Sequence, residues 1–274
     1  MKNLIPLIRK MSYWDDIVNN KHLAARTPLQ AIRTDVSNRF TTFTNHAVPN
    51  TLEAIAASPF AAPNIGLLES CYSKSNGLSR LKTKIKEKQS VLLRSECQYC
   101  NIGEPTTFDH YLPQVDFPEF SALSINLFPC CSKCNTEKGE EWILLGNRKV
   151  INYYYDALPN VDYLNCTIVY RHNVPQANFN INAAALPANL RDIIVNHYNT
   201  LQLRDRYKQR SNSEITDVLS AISPYNGIIT RAQVQTQLQN EAANMKLSKG
   251  QNYWRAIIRI ALSNSPRFLT DAGF

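Results

Sequence analysis

Two Cys-x-x-Cys pairs, Cys97–Cys100 and Cys131–Cys134, constrain this chain more than any other feature. Two residues between thiolates let one tight turn aim both sulfurs at a single ion. Two such turns complete a tetrahedral four-sulfur site, and a closed Cys₄ site is structural because no position is left for water or substrate. Binding of Zn²⁺ there would supply folding energy. Cys130 sits next to Cys131 and competes with it as a ligand; the two-residue spacing favours Cys131 and leaves Cys130 a hydrophobic position. Cys71 and Cys166 read as ordinary buried thiols. A plain zinc ribbon separates its pairs by about 15–20 residues. Here residues 101–130 intervene, so something extra is carried between the two knuckles.

Composition bounds what that something can act on. The chain has 274 residues, 44% of them hydrophobic, enough for a sizeable core in one large domain or two modest ones. Its 30 Lys plus Arg against 22 Asp plus Glu leave a net charge of +8, which biases the surface towards polyanions such as nucleic acid. The start, MKNLIPLIRK, has too short an apolar run for a secretory signal. The most apolar window, residues 54–68, is broken by Pro59, Pro63 and Asn64 and does not read as a membrane span. A reduced cytoplasmic setting is expected, in which paired cysteines are metal ligands more readily than disulfides.

The pattern along the chain predicts an α+β protein. Residues 1–90 read as mainly helical. Leu78, Leu81, Ile85 and Leu92 form an apolar stripe, with Arg80, Lys82, Lys84, Lys86 and Lys88 between them. That basic remainder is either a solvated face or a phosphate-contacting one. Residues 91–147 form the cysteine module. Beyond it, in 148–274, "VINYYYDAL", "CTIVYRH" and "ANFNINAAA" read as short strands. A helix carries Leu190, Ile193, Ile194, His197 and Leu201. "TRAQ" (230–233) has the form of a capping box opening a further helix that Gly250 stops, and "NYWRAIIRIAL" opens another.

Within the module, "TTFDHYLP" (106–113) and "INLFP" (125–129) read as an antiparallel strand pair. "QVDFPEFSALS" joins them, with Phe117 and Phe120 packing the loop onto the rest of the protein. "NTEKG" follows the last cysteine as the first turns of a helix, roughly 132–143. Asp109-His110, then Asn126-Leu127, then Cys131-x-x-Cys134-Asn135-x-x-Lys138-Gly139 together resemble the HNH endonuclease family in its four-cysteine form, with Asn135 at the third signature position. The match covers about one sixth of the chain. It implies a ββα-metal module with a Cys₄ zinc site, embedded between mainly helical N- and C-terminal regions.

The resemblance implies a metal-dependent endonuclease that hydrolyses DNA phosphodiester bonds. That reaction needs an activated water, a cation to neutralise developing charge, and in-line geometry. The resemblance gives His110 the role of general base, a role suited to imidazole near neutral pH. It makes Asp109 and Asn135 the hard-oxygen ligands of one Mg²⁺ or Mn²⁺ ion. In this pattern Asn126 fixes the hairpin and orients the histidine ring, and Lys138 is offered as a phosphate contact. Each residue also has an ordinary structural reading: a turn aspartate, a strand histidine, a hairpin amide, a helix-starting asparagine. A non-catalytic zinc-stabilised nucleic-acid-binding or adaptor module is the alternative. The stretch from Asp109 to Asn135, followed by "INYYYDAL", is also similar to HNH proteins of bacterial anti-phage systems, some of which work beside a partner ATPase. A regulatory partner that restrains the nuclease is the expectation that follows.

Overall fold

A computed structural model describes residues 2–8 and 11–274. The chain forms two compact units, Asn3–Ala157 and a second made of Leu158–Phe274 with Lys2. The fold is α+β, dominated by helix, with three two-stranded antiparallel sheets among the described residues. No helix of the described residues is long and apolar enough to cross a membrane.

In the first unit, helices α1 (Met11–Asn19), α2 (Leu23–Ala31), α3 (Arg33–Ala47), α4 (Ile65–Glu69), α5 (Asn76–Glu87) and α6 (Val91–Arg94) precede the cysteine module. The helical region and the module therefore share one compact body. Helix α1 buries Trp14, Ile17 and Val18 and packs against α5, which buries Leu78, Leu81 and Ile85. Gly77 permits this close approach, because a Cβ there would lie 2.8 Å from the Ile17 backbone. The predicted stripe ends early: Leu92 is exposed, on a separate short helix that buries Leu93 instead.

Strand β1 (Thr107–His110) pairs antiparallel with β2 (Leu127–Cys130), placing Asp109 opposite Phe128 and His110 opposite Leu127. Helix α7 (Ser132–Lys138) follows at once. The strand–strand–helix order matches the reading of the sequence, but α7 is shorter than 132–143. Gly139 stops it with φ +62°, a conformation that favours glycine. Phe117 and Phe120 are buried; Phe120 meets Phe43 of α3 edge-on at 5.2 Å and Phe117 meets Trp142 at 5.7 Å. Glu119 accepts from Arg39 at 2.7 Å, so the β1–β2 connection is anchored to α3. A small hairpin, β3 (Ile143–Leu144) with β4 (Asn147–Arg148), comes next.

"VINYYYDAL" is not a strand. Asn152 and Asp156 fold it into a turn: the Asn152 backbone N–H donates to Asp156 Oδ2 at 2.8 Å, and Tyr154 N donates to Asn152 Oδ1 at 3.1 Å. Such side-chain bonds to nearby backbone compete with a strand ladder. The turn drives Tyr153 and Tyr154 into the core, and Asp156 pairs with buried Arg148 at 2.9 Å.

In the second unit, the two segments read as short strands are β5 (Leu164–Arg171) and β6 (Val174–Ile181), which pair antiparallel as a hairpin. Its two turn residues, His172 and Asn173, both have positive φ, the backbone demanded by a tight hairpin turn. Helices α8 (Ala188–Thr200), α9 (Leu203–Ile222), α10 (Arg231–Lys249), α11 (Trp254–Ser263) and α12 (Pro266–Asp271) complete it. The Thr230–Gln233 capping box opens α10 and Gly250 closes it, as the sequence predicts. Tyr207 of α9 stacks on Trp254 of α11 at 5.4 Å.

Candidate metal centre and adjoining cleft

The first knuckle is built by backbone. Cys100 N and Asn101 N donate to the Cys97 carbonyl at 3.2 and 2.7 Å, and Cys97 N donates to Gly103 O at 2.7 Å. The second is built by a helix start: Cys131 caps α7 and Cys134 lies in its first turn. The four sulfurs of Cys97, Cys100, Cys131 and Cys134 all lie within 4.8 Å of one another and are buried. Cys100 Sγ and Cys131 Sγ are 3.8 Å apart. Bonds of about 2.3 Å in a regular tetrahedron give sulfur–sulfur edges of about 3.8 Å, whereas a disulfide needs about 2.05 Å. The donor set therefore fits a thiophilic metal such as zinc. Gly103 is part of the fit, since a Cβ there would lie 3.1 Å from Cys131 Cβ.

Cys130 is excluded by strand geometry. Its sulfur lies 3.5 Å from Thr107 Oγ1, and burial pushes its thiol up to about 12, which leaves it neutral and inert. Cys71 is likewise buried and pushed up to about 11. Cys166 is only half-buried.

Asp109, His110 and Asn135 line one open cleft together with Tyr72, Pro113 and Gln114. His110 ends β1, and its Nε2 lies 2.9 Å from the Ser121 carbonyl. A carbonyl only accepts, so Nε2 carries the proton and Nδ1 the lone pair. Tyr72 meets the ring edge-on, with centroids 4.3 Å apart. Burial pushes the imidazole down to about 4, with the positive charges of Lys138 and Lys82 acting in the same direction. The ring is therefore neutral at neutral pH.

Asp109 is buried, and both of its oxygens are engaged. Tyr99 Oη donates to Oδ2 at 2.8 Å and Lys138 Nζ donates to Oδ1 at 3.0 Å. Burial raises the carboxyl from its ordinary value, against the opposing pull of Lys138 and Tyr99. Among the described residues, no protein group hydrogen-bonds the Asn135 side-chain amide, which faces the cleft from α7.

Two expectations are corrected here. Asn126 hydrogen-bonds the β1–β2 connection and not the imidazole, which the Ser121 carbonyl holds directly. Asn126 is fully buried and bridges Leu112 N (2.8 Å), Leu112 O (3.1 Å) and Phe120 O (3.2 Å), so it clamps the two ends of the β1–β2 connection. Lys138 is not a phosphate contact. It is 1% exposed and spends its donors on Asp109 and on His110 O at 2.7 Å. Tyr99 and Ser121 were invisible as site residues. Tyr99 is one of the two spacers inside the first Cys-x-x-Cys, and Ser121 lends only its backbone.

Fold and site together define an α+β protein with a buried four-cysteine group that could hold a metal such as zinc, set beside a cleft lined by His110, Asp109 and Asn135. The chain is similar to Protein ea31 of Escherichia phage lambda, 28% identical over 197 residues that cover 63% of each protein. The chain thus spans less than two thirds of that relative's length. No family model matches the chain, and no solved structure matches it.

Proposed function

We propose that the chain is a zinc-stabilised HNH-type endonuclease that hydrolyses DNA phosphodiester bonds. The observation that carries this reading is the convergence of Asp109 and His110 from β1 with Asn135 from α7 on one cleft. His110 acts as general base: Ser121 holds Nε2–H, Nδ1 is free to take a proton from water, and the depressed basicity keeps it unprotonated at neutral pH. Asp109 and Asn135 are hard oxygen donors that suit Mg²⁺ or Mn²⁺. Each Asp109 oxygen keeps a second lone pair beside its bond to Tyr99 or Lys138. A divalent ion held there supplies charge neutralisation to the phosphate and to the leaving 3′ oxygen. Asn126, by clamping Leu112 to Phe120, keeps the Ser121 carbonyl and the imidazole in register.

One observation favours a second reading, a zinc-stabilised nucleic-acid-binding module without catalysis. The Lys138 ammonium already neutralises Asp109. The effector role, with a partner ATPase or other regulatory subunit, extends the first reading and rests on the sequence resemblance.

The deciding experiment is plasmid cleavage by the purified chain and by His110→Ala, with Mg²⁺, with Mn²⁺ and with EDTA, with zinc content measured in both proteins. Metal-dependent cutting lost in the variant supports the nuclease. A zinc-loaded, DNA-binding wild type that never cuts, alone or with co-purified partners, leaves the binding module.

A further inference from the structure

The basic run of α5 does not act as one face. Arg80 is neutralised by Asp16, donating to both carboxylate oxygens at 2.9 and 2.6 Å. Lys84 faces Glu87 at 3.7 Å. Lys82 and Lys86, four residues apart and so on one side of the helix, pair with no carboxylate among the described residues. Both are half-buried and line a groove between α5 and β1. Lys82 Nζ lies 4.0 Å from the Tyr72 ring centroid and 5.5 Å from that of Phe108. Lys86 Nζ lies 5.5 Å from Phe108 and donates to Pro105 O at 3.0 Å. Thr83 and Thr107 line the same groove, which runs to Asn135. Tyr72, Phe108 and Asn135 line both this groove and the cleft of His110.

Two like charges withdrawn together from water without a counter-ion are costly, and an anion shared between them relieves the cost. Burial, and after it the neighbouring positive charge of Lys86, weaken the basicity of Lys82. The aromatic rings beside the ammonium groups suit a ligand that carries sugars or bases along with its charges. A lone phosphate would use the lysines and leave the length of the groove unused.

We infer that the groove between α5 and β1 is the track for the DNA strand flanking the reaction cleft. Lys82 and Lys86 hold backbone phosphates, and the half-buried Tyr72 packs against the adjoining nucleoside. The inference rests on the nuclease reading for the direction of the strand, but its binding test does not need cleavage.

The test uses zinc-loaded full-length protein and a fluorescent DNA duplex with no added divalent cation, titrated from about 0.05 to 0.2 M KCl. Lys82→Gln/Lys86→Gln is compared with wild type, with the arginine pair Lys82→Arg/Lys86→Arg, and with Lys84→Gln as a single-charge control outside the groove. Loss of two phosphate contacts lowers the slope of log affinity against log salt by about 1.8. Across that salt range the wild type then loses roughly twelvefold more affinity than the glutamine pair. The arginine pair is expected to keep the wild-type slope. An unchanged slope in the glutamine pair overturns the inference, as does a comparable fall per charge in Lys84→Gln, or a wild type that does not bind DNA. Binding that follows the expected pattern without any cleavage retires the nuclease reading and leaves the groove in place.

Discussion

Replacing Lys138 by methionine removes a cation from the least solvated part of the site. The Lys138 and Asp109 side chains are 0% and 4% exposed, so water screens their interaction little. Methionine keeps most of the length and volume of the lysine stem but leaves Asp109 with one donor, Tyr99, and frees the His110 carbonyl. Breaking one partner of a buried pair costs about 3–5 kcal/mol, because the remaining charge is stranded. The cost must depend on pH. Burial already raises the Asp109 carboxyl, and loss of Lys138 raises it further. A carboxyl whose folded value lies above its unfolded value of about 3.9 contributes its full stability below that unfolded value and loses it as pH rises through the folded one. The deficit of Lys138→Met relative to wild type therefore grows as pH rises above the unfolded carboxyl value, and is compared at about pH 5 and pH 8. Lys138→Met/Asp109→Asn, which leaves no charge to strand, recovers a large part of it. Urea unfolding of wild type and both variants at the two pH values, with zinc content checked, measures this. A deficit below about 1 kcal/mol, or one equal at both pH values, would refute a buried ionised pair.

Cys131→Ser is expected to abolish stoichiometric zinc and to destabilise the first unit, whereas Cys130→Ser keeps the wild-type metal content; metal analysis after dialysis, with thermal melts, distinguishes the two. His110, pushed down to about 4, places the acid limb of any cleavage pH profile well below the ordinary histidine value of about 6.5. Single-turnover rates measured from pH 4.5 to 8 should stay flat through pH 6.5 where histidine ionisation is concerned. A limb centred there would mean that the working base is solvated or is not His110.

The module was legible because its chemistry is local. Two spacers between thiolates, a polar Asp-His step at the end of a strand and an asparagine one residue past the last cysteine locate the cysteine group, the hairpin and the helix without tertiary information. Strand alternation also explains why Cys131 and not Cys130 joins the cluster. What failed depended on partners distant in sequence or on side-chain bonds to nearby backbone. "VINYYYDAL" has strand composition, yet Asn152 and Asp156 satisfy its backbone locally. Lys138 has the look of a surface lysine on a helix, and only the depth at which β1 crosses α7 makes it a core cation. Tyr99 and the Ser121 carbonyl carry no signature, since their roles come from where the knuckle and the β1–β2 connection finish in space. The basic run of α5 was visible as charge, but its division into paired and unpaired members depends on Asp16 and Glu87.

The two hydrogen-bond donors on Asp109 come from opposite jaws of the same clamp. Tyr99 lies between Cys97 and Cys100, and Lys138 lies one helical turn beyond Cys134. The cysteine cluster thus works as the hinge pin of a pair of pliers whose tips close on the carboxylate. Any reagent that opens the cluster, whether a chelator or an oxidant of its thiolates, lets both tips swing at once. On the proposed nuclease reading, cleavage would then stop although nothing in the cleft itself had been touched.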